Sequence, residues 1–252
     1  MSRPAYQRTR LATADLRAVW EEHAADFVAW ARKPDHDSYW RFHRDLFLEL
    51  VPPAGQRTLD LGCGEGRLSR DLKARGHHVV GVDASETMLA AGLETDPDLE
   101  THLADAAMLP FGDQTFDLVI AFMSLQDVEN FEGAIREAAR VLMRDGRLCM
   151  AIVHPINSAG RFEGDEADSP FSITGSYLDS YYYADDFERD GLELTIVSAH
   201  RPLNAYIGAL TEAGLVIEKF REPVLPENAV AKPRDRRWQR LPTFLHLRAV
   251  KR

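Results

Sequence analysis

Three glycines spaced two residues apart, Gly62, Gly64 and Gly66, lie in the run Thr58-Leu59-Asp60-Leu61-Gly62-Cys63-Gly64-Glu65-Gly66-Arg67. Asp83 closes the apolar run that follows. Glycines open left-handed conformations to a turn and let a ligand approach the backbone closely. An acid at the end of the second strand is placed to accept hydrogen bonds from ribose hydroxyls. The pattern predicts a grip on a nucleoside-containing ligand. A dinucleotide fingerprint needs a third glycine where this chain has Arg67, which weighs against a nicotinamide-dependent oxidoreductase.

The elements that must hold these residues read as follows. Leu16, Val19, Trp20, Ala24, Phe27, Trp30 and Ala31 recur at helical spacing, and Pro34 breaks the run. A second helix carries Tyr39, Phe42, Leu46 and Leu50 and ends before Pro52-Pro53. Residues 57–61 form the first strand and 68–75 a helix stopped by Gly76. Residues 78–83 are a strand apolar on both faces, and Ser85 is the N-cap of the next helix. A third strand ends at 103–105 and a fourth covers 116–122. A helix over 131–142, an Asp145-Gly146 turn and a strand over 148–153 follow. Strands alternating with helices predict a doubly wound parallel sheet. At the C-terminal end, a helix over 203–213 precedes strands 215–220 and 244–250 with no helix between them, so that pair is antiparallel. The reading is a seven-stranded, mostly parallel Rossmann-like α/β domain over residues 1–252. It divides into an N-terminal helical cover (1–54), a ligand-binding core (55–153), a lid insertion (154–200) and a C-terminal helix with the antiparallel pair (201–252). Arg189-Asp190-Gly191-Leu192 marks a hairpin turn within the lid.

Composition is that of an ordinary globular protein. Two cysteines, Cys63 and Cys149, make no disulfide framework, and Met1 to Tyr6 lack the apolar core of a signal peptide. A cytoplasmic protein is expected, either monomer or homodimer. A net charge of −10 disfavours a phosphate backbone as partner, and no run of apolar residues reaches membrane-spanning length. The basic run Lys232 to Arg240 around Trp238 reads as a solvated loop. The histidines show no zinc spacing, and no metal is expected.

Asp60-Leu61-Gly62-Cys63-Gly64-Glu65-Gly66 resembles the first motif of class I S-adenosylmethionine-dependent methyltransferases. Asp105-Ala106-Ala107-Met108-Leu109-Pro110-Phe111, Phe116-Asp117-Leu118-Val119 and Glu137 to Leu142 followed by Gly146 continue the resemblance. It is similar to the broad group that includes ubiquinone and menaquinone biosynthesis enzymes. The resemblance implies S-adenosylmethionine as cofactor, S-adenosylhomocysteine as product and a small-molecule acceptor. It implies that Asp83 meets the ribose, that Asp105 accepts from the adenine amino group and that the Ala106 N–H meets a ring nitrogen. Gly62, Cys63, Gly64, Gly66, Ala84 and Phe122 join the cofactor site. Asp60 anchors the loop or meets the cofactor's amino group, and Met88 is core or the wall beside the adenine. Tyr39, with Arg44 as a carboxylate partner, is expected to cover the methionine end. Ser124-Leu125-Gln126-Asp127 stands where many relatives carry histidines, so quinone-ring methylation is not carried over.

For the acceptor side, His154 and His200 are the candidate bases, and Tyr181 and Tyr183 share one strand face as an aromatic wall. Asp127 reads as an N-cap, and Trp20, Phe27 and Trp30 as core. A protein that binds the cofactor without turnover is the alternative from outside enzymology.

Overall fold

The computed structural model describes residues 6–34 and 36–252. The segment Met1 to Ala5 lies outside them. The chain begins with strand β1 (Tyr6–Leu11) and two short helices, α1 (Leu16–Glu22) and α2 (Ala24–Ala31). A π-helical turn (Tyr39–His43) runs into α3 (Arg44–Leu48). The core then alternates: β2 (Thr58–Leu61), α4 (Arg67–Ala74), β3 (Val79–Asp83), α5 (Glu86–Thr95), β4 (Glu100–Leu103), β5 (Phe116–Phe122), α6 (Phe131–Val141) and β6 (Leu142–Val153). The insertion holds α7 (Pro155–Ala159), the ribbon β7 (Gly160–Phe162) and β8 (Phe171–Ile173), and the hairpin β9 (Tyr181–Arg189) and β10 (Leu192–His200). Helix α8 (Leu203–Glu212), β11 (Leu215–Arg221) and β12 (Phe244–Lys251) complete the chain.

The main sheet has the order β11-β12-β6-β5-β2-β3-β4. Its neighbours from β6 to β4 are parallel, and β12 runs antiparallel to both β6 and β11. This is the doubly wound sheet with the antiparallel C-terminal strand that the helix–strand alternation predicts. One face packs through Leu59, Leu61, Val119 and Met150 against Ile135, Ala138 and Leu210 of α6 and α8. The other packs through Leu118 and Ile120 against Phe47, Leu68 and Leu72 of α3 and α4. With both faces covered, β2, β3 and β5 bury nearly every side chain, so their sequences run apolar instead of alternating.

Local chemistry sets the boundaries. Ser85 Oγ accepts the Met88 N–H and caps α5; Asn130 does the same for Gly133 and caps α6. Asp190 and Gly191 both take positive φ, 51° and 77°, the geometry that turns β9 tightly into β10. The N-terminal segment differs from the helical cover expected: it opens with β1, which pairs antiparallel with β9 to give a second sheet, β1-β9-β10. Its sequence YQRTRL has no apolar alternation to announce a strand. Leu16 of α1 packs on Ala184, Val197 and Ala199 of that sheet, so the small sheet braces the helices that cover the main one. The basic run of the C-terminal region forms a 3₁₀ helix (Pro233–Gln239). There Arg236 pairs with Glu227, Arg237 with Asp165, and Arg240 donates to the Ala167 and Ser169 carbonyls. Among the described residues, no helix is long and apolar enough to cross a membrane.

Candidate functional site

The turn after β2 is built on positive φ at Gly62, Gly64 and Gly66, 73°, 56° and 76°. At Gly62 a Cβ would stand 2.4 Å from the Ser124 Cβ, so the close approach of the β2 and β5 exits itself excludes a side chain. At Gly64 a Cβ would meet nothing within 4 Å. That position faces open space, and backbone is what it presents. The Gly62 and Cys63 N–H groups bond the Val82 carbonyl, tying the turn to β3. Asp83 holds the turn from the other side: its carboxylate accepts the Gly64 N–H at 2.8 Å and the Ser85 N–H at 2.9 Å. A carboxylate has roughly four lone-pair directions, so two remain for a ligand.

These residues border a cavity of about 460 Å³ at the C-terminal edge of the sheet. Its floor is Asp60, Gly62, Cys63 and Gly64; one side is Asp83, Ala84, Met88, Asp105 and Ala106; the other is Phe122, Met123, Ser124 and Asp127. The roof is the N-terminal cover: Leu16, Arg17, Trp20 and Phe27. The Leu16 N–H donates to Glu129 on the far wall at 2.9 Å, which ties the roof down.

Burial sets the electrostatics. It lifts the Asp60 carboxyl to about 6, against the pull of a 2.6 Å hydrogen bond from Ser69. It raises Asp83 too, opposed by the backbone N–H groups it accepts. It pushes Asp127 furthest, up to about 8, although Ser198, Arg201 and Gln126 all favour the ionised form. Burial drives the Cys63 thiol well above its ordinary value, so Cys63 serves the turn by its size and backbone.

Of the residues expected to hold the cofactor, Asp60, Gly62, Cys63, Gly64, Asp83, Ala84, Met88, Asp105, Ala106 and Phe122 line this cavity. Met88 does both things expected of it, packing with Ala24 and Val28 as core while bordering the cavity. Gly66 stands behind the wall as the left-handed residue that starts α4. Tyr39 and Arg44 do not reach the cavity. The π-helical turn seats the Tyr39 ring in the core, with its hydroxyl donating to Asp71 at 2.7 Å on α4, and Arg44 pairs with Asp45 and Asp71. Tyr39 acts from behind, beneath the Arg67 guanidinium and edge-on to Phe122.

The acceptor-side expectations need correction. None of His154, His200, Tyr181 and Tyr183 borders the cavity. His154 caps α7, its Nδ1 accepting the Ile156 N–H, and its Nε2 meets Glu222 at 2.9 Å. His200 is enclosed between Ser158 Oγ and the Tyr177 carbonyl and stacks on Tyr181. Tyr181 donates to the Ser158 carbonyl, and with Tyr183 borders a separate pocket of about 80 Å³. The insertion is therefore a brace for the cover and contributes no side chain to the cavity among the described residues.

Three residues read otherwise stand at the cavity. Asn130, not Asp127, caps α6; Asp127 borders the cavity, its two carboxyl oxygens accepting from Ser198 Oγ and Gln126 Nε2. Trp20 and Phe27 are roof as well as core. The signal for Asp127 was its place, five residues past the end of a strand that neighbours the glycine turn.

Residues 59–150 match the methyltransferase domain family. A demethylmenaquinone methyltransferase of Clavibacter sepedonicus is 40% identical over 116 residues, 45% of this chain and 46% of that protein. The corresponding enzyme of Mycobacterium tuberculosis strain H37Ra is 39% identical over 112 residues, 44% and 46%. The chain thus spans under half the length of these relatives. The crystal structure of an S-adenosylmethionine dependent methyltransferase from Mesorhizobium loti superposes with a TM-score of 0.71 and 25% identity, covering 86% of this chain and 99% of that one. The 4+2 cyclase SpnF shares the fold at a TM-score of 0.61 and 18% identity, covering 97% and 99%.

Proposed function

We propose that this chain, a member of the class I S-adenosylmethionine-dependent methyltransferase family, transfers a methyl group to a small apolar or aromatic acceptor inside the covered cavity. The observation that carries the reading is the cavity itself. A backbone-lined glycine turn, the Asp83 carboxylate and Asp105 with Ala106 sit in order along the ends of β2, β3 and β4.

The residues fit the cofactor. Asp83 offers its remaining lone pairs to two ribose hydroxyls, Asp105 a carboxylate to an adenine amino group, and Gly64 an open stretch of backbone. The Trp20 indole N–H, buried with no partner among the described residues, is a further donor at the roof. When bound, the cofactor supplies an electrophilic methyl on a sulfonium, which needs no further activation by the protein. The chain's task is to hold the acceptor in line and keep water out, so proximity supplies much of the rate. Leu16, Trp20, Phe27, Met123 and Val128 give the acceptor an apolar enclosure. A flat ring such as that of demethylmenaquinone, the substrate named for the relatives, is one member of the class to try.

Isothermal calorimetry with S-adenosylmethionine, S-adenosylhomocysteine and NAD tests the cofactor. The first two are expected to bind and NAD is not. Radiolabelled methyl transfer to phenol, amine, indole and quinol panels tests turnover. A folded protein that binds neither adenosyl ligand refutes the reading. Binding without transfer to any acceptor supports the non-catalytic alternative, a real outcome since a shared fold does not fix the reaction.

A further inference from the structure

Carboxylates outnumber arginines around the cavity by seven to two. Most are spoken for. Glu65 pairs with Arg70, Glu129 holds the Leu16 N–H, Asp60 holds Ser69, and Asp83 holds the glycine turn. Asp127 differs in place and in surroundings. Strand β5 flanks β2 on the side away from β3 and β4. Asp127, which follows β5, therefore lies across the glycine turn from Asp83 and Asp105. If those two take the nucleoside, Asp127 stands toward the other end of the ligand, where the sulfur is.

We propose that Asp127 is the residue by which the cavity tells the cationic sulfonium of S-adenosylmethionine from the neutral thioether of the product. It is protonated in the free protein, and it ionises when the cation enters and helps to retain it. This rests on the cofactor reading above. The step is binding alone: the carboxyl proton leaves for solvent, and the carboxylate left behind faces the sulfonium charge.

The donors around Asp127 are placed to stabilise the carboxylate once the cation enters, while burial and Asp83 hold the proton on in the free protein. From β10, Ser198 Oγ donates to one carboxyl oxygen at 2.5 Å, and Gln126 Nε2 donates to the other at 3.0 Å. Arg201 lies near, but its guanidinium is spent on the carbonyls of Leu125, Gln126, Val128 and Glu129 and on the face of Phe131. It lowers the Asp127 pKa without forming an ion pair with it. Tyr206 of α8 is buried and neutral, its hydroxyl raised by burial. Asp83 adds negative charge from across the cavity. Burial wins over these donors and holds the carboxyl up to about 8. A full positive charge brought into the same cavity reverses the balance, because an opposite charge within a few ångströms favours the ionised form. Methyl transfer removes that charge, so the product loses the carboxylate's attraction as it forms.

The test is calorimetry of both adenosyl ligands on wild type and Asp127→Asn, near pH 7.5, in buffers of different ionisation enthalpy. Asp60 titrates near 6 and is already ionised there. The ligands' own amines titrate in this range, so the quantity read is the difference between wild type and variant. Wild type is expected to release roughly three-quarters of a proton more than the variant on binding S-adenosylmethionine, the share still bound at that pH by a group titrating at about 8, and no more on binding S-adenosylhomocysteine. The wild-type preference for the cation climbs by up to about tenfold per pH unit below pH 8 and then levels. Ser198→Ala removes a donor to the carboxylate and moves that levelling point to higher pH. If both ligands bind and proton release is the same in wild type and D127N, or if S198A leaves the levelling point in place, the inference is overturned and the cofactor reading stands. If neither ligand binds the folded wild type, the cofactor reading fails and this inference falls with it.

Discussion

Two regions of this chain carry polar and aromatic side chains suited to chemistry, and the fold uses them in opposite ways. At the ends of β2 to β5, Asp83, Asp105 and Asp127 keep part of their hydrogen-bonding capacity facing a cavity. In the insertion, His154, His200 and Tyr181 are satisfied by Glu222, Ser158 Oγ and the backbone around them. A buried polar group costs free energy unless it is bonded. Saturation therefore marks a side chain that builds structure, and unused capacity beside a cavity marks one that awaits a ligand. Residue type alone does not separate the two: a histidine is a good base in principle, but here both histidines are fasteners.

The comparison breaks most readily at Asp83. Asp83→Ala removes the acceptor of two backbone N–H groups and the ribose partner together. Hydrogen bonds to a charged group are worth about 1.5–3 kcal/mol each. Affinity for S-adenosylmethionine should fall roughly 100-fold or more, read by calorimetry. Retained affinity would mean that the ligand is gripped elsewhere.

The glycine turn sharpens it next. Gly62→Ala meets both a positive φ and Ser124 Cβ at 2.4 Å, and should cost about 2–4 kcal/mol of stability. Gly64→Ala meets only the φ, and should cost about 1–2 kcal/mol. Its larger effect should be on ligand affinity, since the new methyl projects into open space. Urea unfolding beside calorimetry separates a turn that closes the fold from one that receives a ligand. Equal stability losses at both positions would merge those roles.

This side of the molecule was legible because its constraints are local. Positive φ demands glycine, a strand buried on both faces demands an apolar run, and an acid at a strand end has one direction to point. Ten of the expected cofactor residues consequently line one cavity. Tyr39 and Arg44 were misplaced because the π-helical turn over Tyr39–His43 carries its side chains out of the register an α-helix would set. Strand β1 was missed because its identity as a strand comes from pairing with β9, some 170 residues on, and not from its own pattern. Asp127 was misread for a similar reason: what buries it is β10 and Arg201, distant in sequence.

Asp127 offers a smaller test with a definite sign. Its folded pKa, about 8, lies above the ordinary aspartate value near 3.9. The folded state holds the proton more tightly than the unfolded chain. Its contribution to stability is present below about pH 4 and is lost as pH rises toward 8. Asp127→Asn lacks the ionisation and should match wild type in acid but exceed it at pH 8 by about 1–2 kcal/mol, after discounting for solvent in the cavity. Chemical denaturation across that range checks it. A variant less stable at pH 8 would place Asp127 with the fasteners.

The smallest expected effects lie in the insertion. His154→Ala and Tyr181→Phe remove bonds to α7, Glu222 and the Ser158 carbonyl, none of which borders the cavity. Cofactor affinity should stay within about twofold of wild type, while His200→Ala, which takes a partner from the half-buried Tyr177 carbonyl and leaves Ser158 Oγ only the Pro155 carbonyl, costs about 1–2 kcal/mol of stability. The two readouts must be taken together, because the insertion also braces α1 through Leu16 and Val197. A loss of affinity that tracks the loss of stability across these variants would show the brace loosening the roof. A tenfold loss of affinity in His154→Ala at full stability would mean that this histidine reaches the ligand in a closed state, and the division between fasteners and site would fail at that residue.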